Sequence, residues 1–349
     1  MSKVQAYGAA AAKSQLGPMS IERRSPRADD VTIDVLFTGV CHSDVHQVRD
    51  EWGGSIFPMV PGHEIVGRVS AVGPAVKRLK VGGLAGVGCL VDSCRGCPQC
   101  SRDLEQFCEK GAAATYNGTE MDRKTPTYGG YSTQVVVSER FVLNVPENLD
   151  PAAAAPLLCA GITTYSPLRQ WNVKKGDRVG VVGLGGLGHM AVKLAHSMGA
   201  EVTMLSTSRA KEADARRLGA SAFELTKDEG TFKKLRNHFD LILDTVSAPH
   251  DYNKFLGMVR PMGAMVVVGA PPEPTPVAAF ALIGGNRRLA GSAIGGLKET
   301  QEMLDYCGKH QIVSDIEIIP VQKINEAYER MIKADVRYRF VIDIASLRS

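Results

Sequence analysis

The stretch Arg178-Val-Gly-Val-Val-Gly-Leu-Gly-Gly-Leu-Gly-His189 decides the fold. Its first five residues, Arg178 to Val182, are a short, mostly apolar run that reads as a strand. Gly183, Gly185 and Gly188 then make G-x-G-x-x-G, with Gly186 and Leu187 inside the turn. Beyond it Leu187, Met190, Ala191, Leu194, Ala195 and Met198 recur at steps of three and four, one apolar face of a helix. Strand, glycine turn and helix in that order form a unit in which backbone N–H groups and a helix N-terminus receive a pyrophosphate. The context favours dinucleotide binding over a glycine turn without ligand.

Downstream, apolar runs at Val202 to Leu205, Ala222 to Leu225, Leu241 to Leu243, Ala264 to Val268 and Leu289 to Ile294 alternate with helical segments. This alternation predicts βαβ units around a parallel sheet. The second run also indicates which dinucleotide is bound. An NAD site carries an Asp or Glu there for the ribose hydroxyls; here the run ends in Ser206, Thr207, Ser208 and Arg209, with Lys211 following. Three hydroxyls and two cations suit a 2′-phosphate, which a carboxylate would repel. NADP(H) is therefore expected over NAD(H).

Upstream the pattern differs. The first 150 residues read as short strands cut by Gly and Pro, at Val31 to Phe37, Glu64 to Val72, Gly86 to Val91 and Tyr131 to Val137. After about Gly295 come a helix (Glu299 to His310), a strand (Asp315 to Ile319), a helix (Asn325 to Lys333) and a last strand (Tyr338 to Ile344), a tail expected to rejoin the first domain. A chain of 349 residues with 44% apolar content has room for two domains and a sizeable core. The expected boundaries are 1–155, 156–295 and 296–349.

Composition excludes several classes. The net charge of +4 is too weak and dispersed to make nucleic acid or membrane the default partner. No apolar segment follows a basic start between Met1 and Gly17, so no secretory signal is expected. The longest apolar stretch, Ala152 to Ile162, is broken by Pro156 and Gly161 and is far short of the ~18 residues of a membrane span. Five of the eight cysteines fall between Cys89 and Cys108, which is no disulfide framework. A reducing, cytoplasmic setting follows.

Cys94, Cys97, Cys100 and Cys108 run C-x2-C-x2-C-x7-C in a Gly- and Pro-containing loop. Four soft thiolates at this reach favour a closed, structural zinc, since the common ferredoxin runs of iron–sulfur proteins space their cysteines differently. A zinc ribbon for nucleic acid is disfavoured, because Val91 to Glu109 carries only Arg95 and Arg102 as cations. A second set is scattered: Cys41, His63, Glu64 and Cys159. Taken singly, each has an ordinary alternative as a buried thiol or a hydrogen-bonded side chain. Taken together, two thiolates and one imidazole would leave a zinc neutral with a vacant position for a carbonyl oxygen, and Asp44 is a natural partner for the ligand His. Cys89 and Cys307 read as packing residues.

With these motifs in hand, the chain resembles the zinc-dependent medium-chain alcohol dehydrogenases, and within them the cinnamyl alcohol dehydrogenase group and its bacterial NADPH-dependent aldehyde reductases. The resemblance runs through Gly39-Val-Cys-His-Ser-Asp-Val-His46, Pro58-Met-Val-Pro-Gly-His-Glu64, the four-cysteine loop, Pro156-Leu-Leu-Cys-Ala-Gly-Ile-Thr-Thr-Tyr165, the glycine turn and Tyr338-Arg-Phe-Val-Ile-Asp343. It implies an α/β chain of a GroES-like β-rich catalytic domain and a Rossmann domain, with the active site in the cleft between them. By the same resemblance Cys41, His63 and Cys159 hold a catalytic zinc, Glu64 is its neighbouring carboxylate, Asp44 orients His63, and Ser43 and His46 relay a proton. Thr163 and Ser292 to Ile294 correspond to nicotinamide contacts, Ser206 to Lys211 to the NADP phosphate site, and Trp52 and Phe57 to the substrate pocket. A homodimer pairing through Leu289 to Ile294 is implied too. One departure is Gly82-Gly83, where relatives carry Gly-Asp.

The expected activity is reversible aldehyde reduction with NADPH and two zincs per chain. A polyol dehydrogenase on the same fold is the alternative. A non-catalytic NADPH-binding redox sensor would have no need of Cys41, His63, Cys159 and Ser43 together, and all four are present.

Overall fold

Six parallel strands surround the glycine turn in the computed structural model, which describes residues 2–348. Their spatial order is Ala222–Leu225, Glu201–Ser206, Arg178–Val182, Phe239–Asp244, Val259–Val267 and Arg288–Gly291. In chain order this is 3-2-1-4-5-6, the doubly wound arrangement that opens a crevice where the order reverses, beside Arg178–Val182. The central strands are apolar on both faces, with Val179, Val181, Val202, Met204, Ile242 and Leu243 buried. Helix Gly188–Ser197 buries Met190, Ala191, Leu194 and Ala195. The last strand is shorter than the sequence predicts. It stops at Gly291, and Ile294 has φ +40°, a left-handed conformation no extended strand allows.

Contacts divide the chain into this unit, Thr163–Ile294, and another made of Met1–Ile162 with Gly295–Ser349. The second unit holds a seven-stranded sheet. Its main path is Leu143–Asn144, Leu84–Val87, Ile65–Val72, Asp30–Gly39, Arg339–Asp343 and Ile316–Pro320, with Gln134–Ser138 also paired to Asp30–Gly39. The tail thus supplies two strands, and its helix Ile324–Ile332 buries Ile324, Ala327, Tyr328 and Met331, spaced i, i+3, i+4 and i+7. The run Gly86 to Val91, expected as one strand, is two, Leu84–Val87 and Leu90–Asp92. The chain breaks where Gly88 lies against the Leu158 carbonyl, 3.0 Å from where its Cβ would stand. The sequence reading also passed over the hairpin Ser2–Gly8 with Gly17–Arg23, whose strands alternate buried and exposed residues, with Val4, Ala6 and Ile21 turned into the core. In the Gly82-Gly83 turn, Gly82 has φ +87°, a conformation that favours glycine, whereas Gly83, the departing residue, has no such need, and a Cβ there would stand 3.1 Å from the Lys80 carbonyl oxygen.

Two strand ends position the candidate site. Asp30–Gly39 runs out into Cys41 and helix His42–Val48, while Ile65–Val72 starts directly after His63 and Glu64. The Gly39 N–H donates to the Glu64 carbonyl at 2.9 Å, and Val341 of the tail strand is registered with Gly39. Residues far apart in the chain therefore meet by sheet pairing.

Candidate active site

Cys41, His63, Glu64 and Cys159 lie together, all buried, with one donor atom from each within 4.8 Å of the others. Cys41 occupies the N-cap of helix His42–Val48, and its N–H donates to Asp44 Oδ2 at 2.8 Å. The other oxygen of Asp44 accepts from His63 Nδ1 at 3.2 Å and from the Gly62 N–H at 3.3 Å. Donating Nδ1–H in this way turns Nε2 into the ring's lone-pair nitrogen, the form a metal takes. Asp44 has no exposed surface, and Tyr131 also donates to it at 3.4 Å. One carboxylate thus caps the helix and aims the imidazole. Burial disfavours charge on His63, but Asp44 outweighs it and raises the His63 pKa. Hydrogen bonding between Cys41 and Cys159 lowers the pKa of the first thiol and raises that of the second.

Glu64 has an unusual setting. One oxygen receives Nη2 of the buried Arg339, while Oε2 is buried with no partner. Gly39 makes room for it, since a Cβ there would stand 1.9 Å from Glu64 Oε2. Burial pushes the Glu64 pKa up to about 8, against the pull of Arg339. An orphaned carboxylate oxygen beside two thiols and an imidazole is a donor set that fits a divalent zinc.

Ser43 Oγ lies 3.1 Å from Cys41 Sγ, and half-exposed His46 stands one helical turn further. His46 Nδ1 is 2.5 Å from Glu51 Oε2, and its ring stacks on exposed Trp52 at 4.8 Å between centroids. Phe57 is half-buried. Sequence reasoning missed Glu51, Arg339 and Cys89. Arg339 lay inside a quoted motif without a role, and Glu51 had no signal beyond its nearness to His46. Cys89 is half-buried, its Sγ lies 4.0 Å from the Leu158 carbonyl oxygen, and its thiol helps to raise the Cys159 pKa. Cys307 is buried against Met303, with sulfur atoms 3.6 Å apart.

The four-cysteine loop forms a second cluster, again with all donors within 4.8 Å. Sulfur separations are 3.5 Å for Cys97 to Cys100 and 3.9 Å for Cys94 to Cys100. A tetrahedron of thiolates at ~2.3 Å from zinc has edges of about 3.8 Å. The four sulfurs fit such an ion with little movement and leave no open position. All eight cysteines are free thiols.

In the other unit a cleft of about 510 Å³ is lined by Gly183, Gly185, Ser206, Thr207, Ser208 and Lys211, among others. Gly183 has φ +86°, and a Cβ on Gly188 would stand 1.9 Å from the Gly183 carbonyl oxygen. At Gly185 a Cβ would meet nothing within 4 Å, so the turn holds that space open toward a ligand rather than for packing. Gly186 and Leu187 complete the turn. Lys211 Nζ donates to the Leu184 carbonyl at 2.6 Å, and Ser206 Oγ accepts from the Ser208 N–H at 3.2 Å. Arg209 is exposed and paired with Glu212 at 3.1 Å. Thr163 is buried on helix Ala160–Gln170, and Ser292 Oγ is buried without a partner.

Comparison with known proteins agrees with this chemistry. Residues 27–147 match the alcohol dehydrogenase GroES-like domain and residues 186–309 the zinc-binding dehydrogenase domain. The chain is 55% identical, over 100% of both chains, to NADP-dependent alcohol dehydrogenase C 1 of Mycolicibacterium smegmatis. The chain belongs to the zinc-dependent medium-chain alcohol dehydrogenases. It is 52% identical, over 99% of each chain, to the aldehyde reductase YahK of Escherichia coli. A cinnamyl alcohol dehydrogenase of Sorghum bicolor superposes with a TM-score of 0.96 at 46% identity, covering 99% of this chain and 98% of the other. As a member of this alcohol dehydrogenase family the chain is an oxidoreductase with a GroES-like and a Rossmann domain. Among the described residues no helix is long and apolar enough to cross a membrane.

Proposed function

We propose that the protein reduces aldehydes to alcohols with NADPH, and runs the reverse oxidation, using one catalytic and one structural zinc. The observation that carries the reading is the buried cluster of Cys41, His63, Glu64 and Cys159, whose donors suit a zinc with room for a substrate oxygen. The names of its relatives agree with NADP as the cofactor and with alcohol or aldehyde as the substrate. When bound, zinc supplies Lewis acidity to a carbonyl oxygen and NADPH supplies the hydride.

The chain's own residues do the rest. Cys41, Cys159 and His63 set the charge and leave the coordination open, and Asp44 fixes the His63 tautomer. Glu64 waits with a free oxygen, tethered by Arg339, close enough to exchange with a ligand position. The proton the alcohol needs travels through Ser43 and His46, and Glu51 extends the route to solvent. Gly183, Gly185, Gly186, Leu187 and Gly188 receive the pyrophosphate, Ser206, Thr207, Ser208, Arg209 and Lys211 the 2′-phosphate, and Thr163, Ser292 and Ile294 the nicotinamide end. Assigning 1–155 and 296–349 to catalysis and 156–295 to cofactor binding belongs to the same proposal, with residues 156–162 joining the catalytic part so that Cys159 stays with its fellow ligands, as do the cytoplasmic setting and the homodimer. The unpaired edge of Arg288–Gly291, with exposed Met262, Phe280 and Ile283 in the same unit, supports the dimer.

The test is kcat/KM for NADPH and NADH on a panel of aromatic and aliphatic aldehydes and polyols. A higher value with NADPH on aldehydes is expected; preference for NADH, or for polyols, would overturn the reading. Cys159→Ala and His63→Ala should abolish turnover while NADPH still binds.

A further inference from the structure

One ionisable side chain of the Val182–Phe255 cleft has both of its polar atoms committed, yet has no part in the chemistry above. His250 closes the loop that follows strand Phe239–Asp244. Its Nε2 lies 2.9 Å from Oδ2 of Asp244, a carboxylate with no exposed surface, and its Nδ1 lies 2.8 Å from the Ala248 carbonyl oxygen. Both partners are acceptors, so both ring nitrogens must donate, and only the imidazolium has two N–H groups. Either neutral tautomer would turn a lone pair toward a carboxylate or a carbonyl.

The loop held this way is a wall of the cleft. Thr245, Val246, Ala248, Pro249 and His250 line it together with Ser206 to Ser208 and Lys211. At the loop's start Thr245 Oγ1 donates to the Val182 carbonyl at 2.8 Å, and Val246 packs where Gly183 lacks a Cβ, 2.5 Å from that point. Asp244 Oδ1 accepts from the Val246 N–H at 3.2 Å, so the one carboxylate grips both ends of the loop. The glycine turn and the His250 loop are thereby a single mechanical unit.

We propose that His250 is a positioning residue for the cofactor: in its doubly protonated form it holds the Thr245–His250 wall in the shape that receives NADP(H), and losing the proton loosens binding. The proposal rests on reading this cleft as the NADP(H) site. The groups around the ring are Asp244 from the strand, Asp251 beside it, and Tyr252 and Lys254 from helix Tyr252–Met258. Tyr252 and Phe255 meet the ring edge-on at 5.0 and 5.5 Å. Lys254 is paired with Glu229 at 2.5 Å. Burial opposes the charge on His250, but Asp244, the Ala248 carbonyl and Asp251 outweigh it and raise its pKa. With the folded value raised, both bonds are intact at low pH and one is lost as pH rises through that value.

The experiment is NADPH binding to the zinc-loaded protein, followed by cofactor fluorescence from about pH 6.5 to pH 9.5, with His250→Gln alongside and the His250 ring titrated by NMR. The dissociation constant should rise about fivefold with pH in the wild type, in step with the ring titration. His250→Gln should bind weakly and lack that step. Ionisations of the 2′-phosphate and Lys211 are common to both proteins and cancel in their ratio. Parallel profiles, or a ring already neutral at pH 7, would overturn the latch and leave the cofactor reading standing. No NADPH binding at any pH would overturn both. The ring titration in the wild type decides the matter even if the variant fails to fold.

Discussion

Glu64 and Arg339 form a buried pair 275 residues apart in sequence. Removing one partner strands the other, so Arg339→Met should cost about 3–5 kcal/mol in urea unfolding. The double variant Glu64→Gln/Arg339→Met should recover most of it; no recovery would mean that Arg339 acts by packing alone. The glycines of the cofactor turn offer a sharper residue-level test, because they are glycine for different reasons. Gly188→Ala drives a Cβ into the Gly183 carbonyl and should lower the melting temperature. Gly185→Ala meets no protein atom, so it should leave the melting temperature unchanged and weaken NADPH binding about tenfold or more. Equal melting losses in both variants would argue against a ligand in that space.

At the scale of an element, the four-cysteine loop has little of its own to hold it. Between the short pair Leu90–Asp92 and Ala113–Ala114 lie only two three-residue turns. Few apolar side chains pack there beyond the cysteines themselves. The closed zinc therefore carries the fold of this segment. Cys100→Ser should reduce elemental zinc from two to one per chain and expose the 93–112 segment to limited proteolysis. Protease resistance equal to wild type would overturn that role. Spacing made this element legible, because four thiolates within one short loop have few other uses. The hairpin at residues 2–23 was not legible, since its buried face is built from few apolar side chains, Val4, Ala6 and Ile21, set among glycines and polar residues, so the alternation is plain in burial but weak in sequence.

For the molecule as a whole, the edge strand Arg288–Gly291 and exposed Phe280 and Ile283 predict assembly. Sedimentation should give a dimer for wild type and a monomer for Phe280→Asp/Ile283→Asp; an unchanged mass would remove this surface from consideration. The sequence by itself determined the order of strands and helices around the glycine turn, the hydroxyl-and-cation rim at Ser206 to Lys211 and the closed cysteine loop. These are local matters, written in periods of two and 3.6 and in short spacings. It left the joint site of Cys41, His63, Glu64 and Cys159 open until a resemblance was invoked, because the spacing of residues 118 positions apart says nothing about distance. Sheet pairing set Gly39 against Glu64 and delivered Arg339 on a tail strand, while the turn after helix His42–Val48 brings Glu51 back to His46, and the break after Leu84–Val87 leaves Cys89 near Cys159. The same holds for His250, whose doubly donating ring is visible only once a buried carboxylate and a carbonyl are placed on its two sides. Side-chain type is a property of the chain, but charge state and partner are properties of burial and neighbours, which only the folded structure supplies.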